Sequence, residues 1–354
     1  MDSRLFKLSS YDSECRPSVY RRDKWRACLE THMLLWGQAI RLSWRCRQRC
    51  TLCVLAALLL VTSSAFGWGE KGHVMINRAA AMKAGDQLPE FFRKGVDLVG
   101  YLAVQPDRWK AYAPELRAVE RANHYFDMED INPQVEKIEL PKGRYEFIGK
   151  LKDLKKSVKE VGLLPYQIQE YFLRLKGGLT EYRWAMKDAA GREDRSRSAL
   201  GSLKSSEMTC LYYAGILGHY AADASQPLHA TVFYDGRGSN GKPARTGVHL
   251  RYEVFFVDKH VKPDSFLNLI KSPSTYQDVL KAAKQVLVSS NRGAEQVLKW
   301  DESGALDKAD TGAIKATKQH MGRGSQFLLN LWYTAWVQSG EELEAYRAKF
   351  QFKK

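Results

Sequence analysis

The sequence predicts an all-α fold, a single mostly helical domain over residues 68–354 preceded by an N-terminal extension over residues 1–67. Three observations predict it. Apolar residues recur at helical spacing through most of the chain beyond Trp68. Alternating strand patterns are few, and no strand–helix–strand repetition appears. Glycines and prolines fall between the periodic stretches and mark where helices break.

The elements follow in order. Ile76 to Ala84 is alanine-rich and reads as a helix that Gly85-Asp86 ends. Leu88 to Gly100 reads as a second helix, with Pro89 near its start. Leu102 to Trp109 is expected to be a loop carrying Pro106-Asp107. Pro114 to Asn123 is a short helix closed by His124-Tyr125-Phe126-Asp127. Asn132 to Tyr145 holds Pro133, Pro141 and Gly143 and should be irregular. Glu146 to Ala190 has a helical pattern, with lysines on one side and Leu, Ile and Tyr on the other. Gly191 to Arg197 is a charged turn. Ser205 to Ala224 is a long, mostly apolar helix expected at the centre, with Cys210 facing inward. Thr231 to Thr246 is a loop, and Val248 to Val257 opens the next ordered piece. Ser265 to Val288, Asp310 to Ser339 and Glu341 to Phe350 have helical periodicity.

Composition narrows the class. The chain is 44% apolar and 27% charged, which excludes a disordered protein. Its formal charge of +15 favours anionic partners such as nucleic acid, phospholipid surfaces or phosphate esters. Residues 1–67 read as an extension ending in a secretory signal. Arg41, Arg45, Arg47 and Arg49 form a basic stretch, Cys53 to Val61 an apolar core, and Ala65 and Gly67 suit a cut before Trp68. The product would be secreted or periplasmic. The five cysteines before residue 60 then leave with the leader, Cys210 remains alone, and no internal disulfide is expected.

The chemistry concentrates in His219-Tyr-Ala-Ala-Asp223-Ala-Ser-Gln-Pro-Leu-His229. His219 and Asp223, four apart, share one face of a helix. Pro227 ends that helix and lets His229 turn back. His249 and Glu253 repeat the four-residue spacing. His73 and His124 also lie near a candidate carboxylate or the new N-terminus. Imidazoles and carboxylates without sulfur suit hydrolytic rather than structural zinc, so a polynuclear zinc site is expected. Gly236 to Lys242 falls short of a phosphate-binding loop, because Pro243 stands where Ser or Thr would hold magnesium. Arg237, Lys242 and Arg245 are nevertheless candidates for the rim of the site. No G-x-S-x-G motif marks a nucleophilic serine. The lysine run from Lys150 to Lys159 reads most simply as a solvated helix face, with a nucleic-acid track as the alternative.

Trp68, His73, Asp107, His124, His219, Asp223, His229, His249 and Glu253, in this order, resemble the superfamily of zinc-dependent phospholipase C and the type I single-strand nucleases of fungi and plants. The likeness spans Trp68 to Glu253. It implies a mostly helical fold with a trinuclear zinc cleft. One zinc would take Asp107, His124 and His219, and a second His229, His249 and Glu253. The third would take His73 with the backbone amine and carbonyl of Trp68, and Asp223 would bridge the first and third. A water between those two would be the nucleophile, and the second zinc would help stabilise the leaving oxygen.

Within the superfamily, the spacing from Trp68 through His73 to Asp107 is closer to the nucleases. Tyr125 matches an aromatic that stacks a base, and Asp127 a group that hydrogen-bonds it. Lys110 stands where the nucleases keep a phosphate-facing arginine. Glu253 resembles the phospholipase branch instead. The expectation is a secreted zinc endonuclease acting on single-stranded DNA or RNA, with Asp107, Asp223 and Lys110 as catalytic groups. The alternatives are a phospholipase C acting on phospholipid head groups and a non-catalytic metal-binding module.

Overall fold

The expected helical periodicity appears in the structure, a computed structural model that describes residues 68–191, 197–236 and 245–343. The described residues all belong to one unit, Ser64–Lys354. The leader, the Gly236–Lys242 loop beyond its first residue, most of the charged turn and the end of the last predicted helix lie outside the described residues. Helices α1 (Gly69–Met82), α2 (Glu90–Lys94), α3 (Val96–Leu102), α4 (Gln105–Tyr112) and α5 (Pro114–Glu120) open the domain. They are followed by α6 (Arg144–Asp153), α7 (Val158–Val161) and the long pair α8 (Leu164–Gly191) and α9 (Arg197–Ser225). Then come α10 (Val248–Leu250), a π-helical stretch over Arg251–Phe256, α11 (Val257–His260), α12 (Val279–Glu302) and α13 (Thr311–Glu341). The only β-pairing among the described residues is an isolated bridge between Phe126 and Gly162. Among them, too, no helix is long and apolar enough to cross a membrane.

Helix α9 is the axis of the domain. From Cys210 onward its side chains are buried on nearly every side, as a helix wrapped by others requires. It packs along α8 and against α13, α3, α12 and α1. Each large side chain fully buried here, such as Ile216, Leu217 or Trp332, contributes roughly 1.5–3 kcal/mol. Two glycines set how close the neighbours come. A Cβ on Gly215 would stand 2.5 Å from Leu102 Cβ of α3, and one on Gly218 would stand 1.8 Å from Asn77 Oδ1 of α1. The absent side chains let backbones approach as at other small-residue crossings. His73 lies one turn before Asn77 and His219 next to Gly218. The crossing therefore stacks the two imidazoles, with centroids 4.0 Å apart and planes 13° from parallel.

Several boundaries differ from the sequence expectation. Asp107 is not on a loop but in the first turn of α4, where Pro106 costs no hydrogen bond because first-turn N–H groups have no helical partner. The Leu88 to Gly100 helix is two helices meeting at Gly95, whose missing side chain leaves space for Leu211 of α9. The Glu146 to Ala190 stretch breaks at Lys155 and Gly162, both with positive φ, and restarts at the Ser157–Glu160 capping box and at Leu164. Ser265 to Val288 is α-helical only from Val279, with a single 3-10 turn over Leu267–Leu269 before it. Before it, Pro273 interrupts a segment pinned to α13 from Lys271 N to Gln326 Oε1 (2.6 Å), Ser274 N to Asn330 Oδ1 (3.1 Å) and Tyr276 N to Thr334 Oγ1 (3.0 Å). Helix α12 then runs on to Glu302, beyond the predicted Val288.

Candidate metal centre

The last two turns of α9 carry His219 and Asp223 on one face, as their spacing demands. The helix ends at Ser225, and the short 3-10 turn Pro227–Ala230 brings His229 back toward Asp223. His124 and His229 are held to each other through the backbone. Phe126 N donates to His229 O at 2.8 Å, and His229 Nδ1 donates to His124 O. His249 leaves α10 just before the chain widens into π-helical winding that carries Glu253, and such winding is frequent at functional sites. Arg251, between them, is clamped by both oxygens of the buried Asp301 at 2.7 and 2.8 Å.

Three groups of buried ligand-type side chains result: His73 with His219 and Asp223; Asp107 with His124 and His219; and His229 with His249 and Glu253. All eight side chains expected to ligate are at most 7% exposed. Two donors each about 2.1 Å from one tetrahedral ion stand roughly 3.4 Å apart. In the Asp107 group the donor separations are 2.9 Å (His124–His219), 3.6 Å (Asp107–His124) and 3.8 Å (Asp107–His219). In the His229 group they are 3.0 Å (His229–His249), 3.7 Å (His229–Glu253) and 2.8 Å (His249–Glu253). Asp223 divides its oxygens. Oδ2 faces His124 at 3.1 Å and His219 at 3.2 Å, while Oδ1 faces His73 at 3.4 Å and His229 at 3.5 Å.

The donor set fits a metal on a second ground. His219 Nδ1 donates to Ala103 O at 2.7 Å, His249 Nδ1 to Tyr234 O at 3.2 Å, and His229 Nδ1 to His124 O. A carbonyl only accepts, so each Nδ1 holds the proton and each neutral ring turns an Nε2 lone pair inward. His229 and His249 thus point two lone pairs at each other across 3.0 Å, an arrangement that needs a shared cation or proton. Neither ring nitrogen of His73 has a hydrogen-bond partner, nor do Asp223 Oδ1, Asp107 Oδ2 and Glu253 Oε1. Buried polar atoms are rarely left so.

Without metal the electrostatics are strained. Burial opposes ionisation of Asp223, but His219 and His229 outweigh it and hold the carboxyl well below its usual range. Burial likewise opposes the charge on Asp107, yet Lys110 and His219 bring it down to about 2. Burial, then Lys110, lowers His124 to about 3, and burial and His219 lower His73. Burial disfavours protonated His229, but Asp223 and Glu253 prevail and push it up to about 9.

The remaining predicted residues lie around this cluster. Trp68 precedes α1, and its fully buried indole donates to Ala222 O at 2.9 Å and Ser225 Oγ at 3.2 Å, beside Asp223. Lys110 is buried, with Nζ 2.7 Å from Asp107 Oδ1. Tyr125 is half-buried and its hydroxyl donates to Lys159 O at 2.5 Å. Asp127 is buried, and desolvation together with Glu129 and Asp130 raises it to about 8, so it holds a proton at neutral pH and can donate. Arg245 is not free at a rim: it reaches Asp301 at 3.4 Å and Asp307 at 3.6 Å. Sequence reasoning passed over Gln226, whose Nε2 donates to Glu253 Oε2 at 3.1 Å and orients that carboxylate. The available signal was an amide in the turn between Asp223 and Pro227. No protein-family model, curated protein or solved structure matches the chain.

Proposed function

We propose that the protein is a zinc-dependent phosphodiester hydrolase that cleaves single-stranded DNA or RNA. The observation that carries the reading is the convergence of three buried His/carboxylate groups with donor separations suited to tetrahedral ions. Asp107, His124 and His219 would hold one zinc, and His229, His249 and Glu253 a second. His73 would hold a third with the amine and carbonyl that Trp68 presents once the leader is cut. Asp223 would join the first and third. Zinc bound there would lower the pKa of water toward neutrality and stabilise charge building on a phosphate.

The protein's own groups do the rest. The carbonyls of Ala103, His124 and Tyr234 fix three imidazole tautomers, and Gln226 aims Glu253. Tyr125 offers a ring for a base to stack on, which favours strands with exposed bases. Protonated Asp127 offers a donor to that base. Lys110 is the cation available to a phosphate, now resting on Asp107.

Glu253 in the last ligand position favours a second reading, phospholipase C activity on phospholipid head groups. One assay separates the readings. The protein cut before Trp68 and loaded with zinc is offered single-stranded DNA, RNA and phosphatidylcholine vesicles, with and without chelator. Chelator-sensitive cleavage of the nucleic acid is expected. Cleavage of lipid alone would replace the first reading with the second, and cleavage of neither would leave a non-catalytic metal-binding module.

A further inference from the structure

The lysine run has a place in the fold that its sequence does not reveal. Helix α6, the turn after it and α7 form one surface segment, and its end is sewn onto the metal centre. Leu163 N donates to Ala122 O at 2.6 Å, Asp127 N to Val161 O at 2.8 Å, and Tyr125 Oη to Lys159 O at 2.5 Å. Gly162 makes this seam possible: its φ is +86°, and a Cβ there would stand 2.0 Å from Tyr125 O. The lysine run therefore ends beside the residues that flank His124.

The outward face of the segment has an unusual composition. Helix α6 buries Phe147 and Leu151 and turns Tyr145 and Lys152, seven residues apart and on one face, to solvent. Tyr145 is 86% exposed, the highest value among the large apolar side chains of the described residues. Lys152, Lys155 and Lys159 are exposed, and none enters an ion pair among the described residues. Lys156 is taken by Asp130 at 2.7 Å. Of the three acids in residues 144–161, Glu160 is folded back on Ser157 at 2.7 and 2.8 Å, and Glu146 and Asp153 face solvent without an ion pair among the described residues, against the three unpaired lysines. Helix α6 alone is about 15 Å long, enough to lie along several nucleotides.

We infer that residues 144–161 form an accessory track for single-stranded nucleic acid leading to the metal centre, with Tyr145 stacking a base and Lys152, Lys155 and Lys159 facing phosphates. An exposed aromatic set among unpaired cations is what single-strand binding uses. A membrane-facing helix would instead carry a broad apolar face to bury among lipids. The inference rests on the nuclease reading, but its test does not depend on cleavage.

The test uses the leader-free protein with chelator present and a fluorescein-labelled twenty-residue oligothymidylate, read by anisotropy across a salt series. Replacing Lys152, Lys155 and Lys159 with Gln should weaken binding at least tenfold at low salt. It should also flatten the slope of log affinity against log salt by about 2, the share of three phosphate contacts on a single strand. Tyr145→Ala should weaken binding roughly tenfold, and Tyr145→Trp should restore it. Hydrolysis of bis(p-nitrophenyl) phosphate by the zinc-loaded variants, a substrate too short to reach α6, should change less than about twofold. Unchanged affinity and slope in the triple variant would overturn the track. Loss of binding to phosphatidylserine vesicles but not to the oligonucleotide would overturn it in favour of a membrane surface. If the parent protein binds the oligonucleotide through these residues yet cleaves no nucleic acid, the track stands and the nuclease reading falls.

Discussion

Removing metal should destabilise the protein more at alkaline than at neutral pH. The Asp107-His124-His219 and His229-His249-Glu253 groups share no ligand and can be counted as two independent sites. A site filled at a hundred times its dissociation constant stabilises the folded state by about 2.7 kcal/mol, so two such sites contribute about 5 kcal/mol. Each kcal/mol moves the melting temperature of a domain near this size by about 2–4 °C, so chelation should lower Tm by about 10–20 °C. Protons partly substitute for the missing cations. His229 in the metal-free fold is pushed up to about 9 from an ordinary 6.5, chiefly by Asp223 and Glu253 against the opposing effect of burial. A folded pKa above the unfolded one gives stability that is fully present below about 6.5 and lost as pH rises through about 9. The shift corresponds to roughly 3 kcal/mol. His219 is shifted in the same direction. His73 and His124 are lowered, hence neutral in both states above 6.5, and add no slope in this window. Asp127 is raised to about 8 by burial and its acidic neighbours; it has no place in the metal groups, so its contribution largely cancels in the difference.

The measurement is thermal unfolding by circular dichroism, zinc-loaded against chelated, at several pH values from 6.5 to 9, with metal content by mass spectrometry. The gap in Tm should widen with pH by about 6–12 °C. A gap of under about 3 °C with less than one metal per chain would refute the metal centre. A gap that narrows as pH rises would refute the reasoning that protonated His229 stands in for an ion.

Three further outcomes follow from the same geometry. Asp223→Asn should lower phosphodiesterase activity at least a hundredfold while leaving the far-ultraviolet dichroism intact, because both of its oxygens face ligand imidazoles; an active variant would mean that Asp223 joins no metals. Gly218→Ala drives a methyl to 1.8 Å from Asn77 Oδ1, and the required shift of α1 should cost about 1–3 kcal/mol in denaturant unfolding and reduce bound metal, since His73 rides on α1; a variant with parental stability and metal content would sink the crossing argument. A protein retaining residues 1–67 has no free amine at Trp68, and should bind one metal fewer and be nearly inactive on single-stranded DNA; full activity would show that the third site does not use that amine.

Part of the candidate ligand set was legible in the sequence because its spacing is local. His219 and Asp223 at four residues, repeated by His249 and Glu253, can be read without a structure because a helix returns to the same face after one turn. The stop at Pro227 was legible for the same local reason. What stayed hidden depends on contacts between distant segments. Pro106 looked like a loop marker, and only the turn of helix around it shows that Pro tolerates that position. Gly95, Gly215 and Gly218 carry no periodic signal, yet their close approaches to neighbouring helices set where α3 and α1 lie. The segment from Lys271 to Tyr276 had helical periodicity but is held out of a helix, its backbone N–H groups taken by side chains of α13 that its own sequence does not contain. Arg245 looked available for phosphate because Asp301 is equally remote. Lys150 to Lys159 was a plain charged face until Gly162 and Tyr125 placed its end against His124.

A hydrophobic core gains nothing by collecting these groups. Three carboxylates, Asp107, Asp223 and Glu253, are buried together, and each is held in its ionised form by its neighbours. Lys110 is the one lysine or arginine paired with them among the described residues. Leaving charge buried and uncompensated costs several kcal/mol per ion, and apolar replacements of similar volume would remove that cost. Protonating imidazoles offsets part of it, as at His229, but His73 and His124 resist protonation and stay neutral donors. Two imidazoles that resist protonation and three whose Nε2 is turned inward by backbone carbonyls, gathered around excess negative charge, form an arrangement that protons satisfy poorly and divalent cations satisfy well. Asp223 gives the arrangement its order, because its two oxygens face separate imidazoles and tie the His73 and Asp107 groups into one unit. The His229 group shares no ligand with them and keeps a separate set of donors.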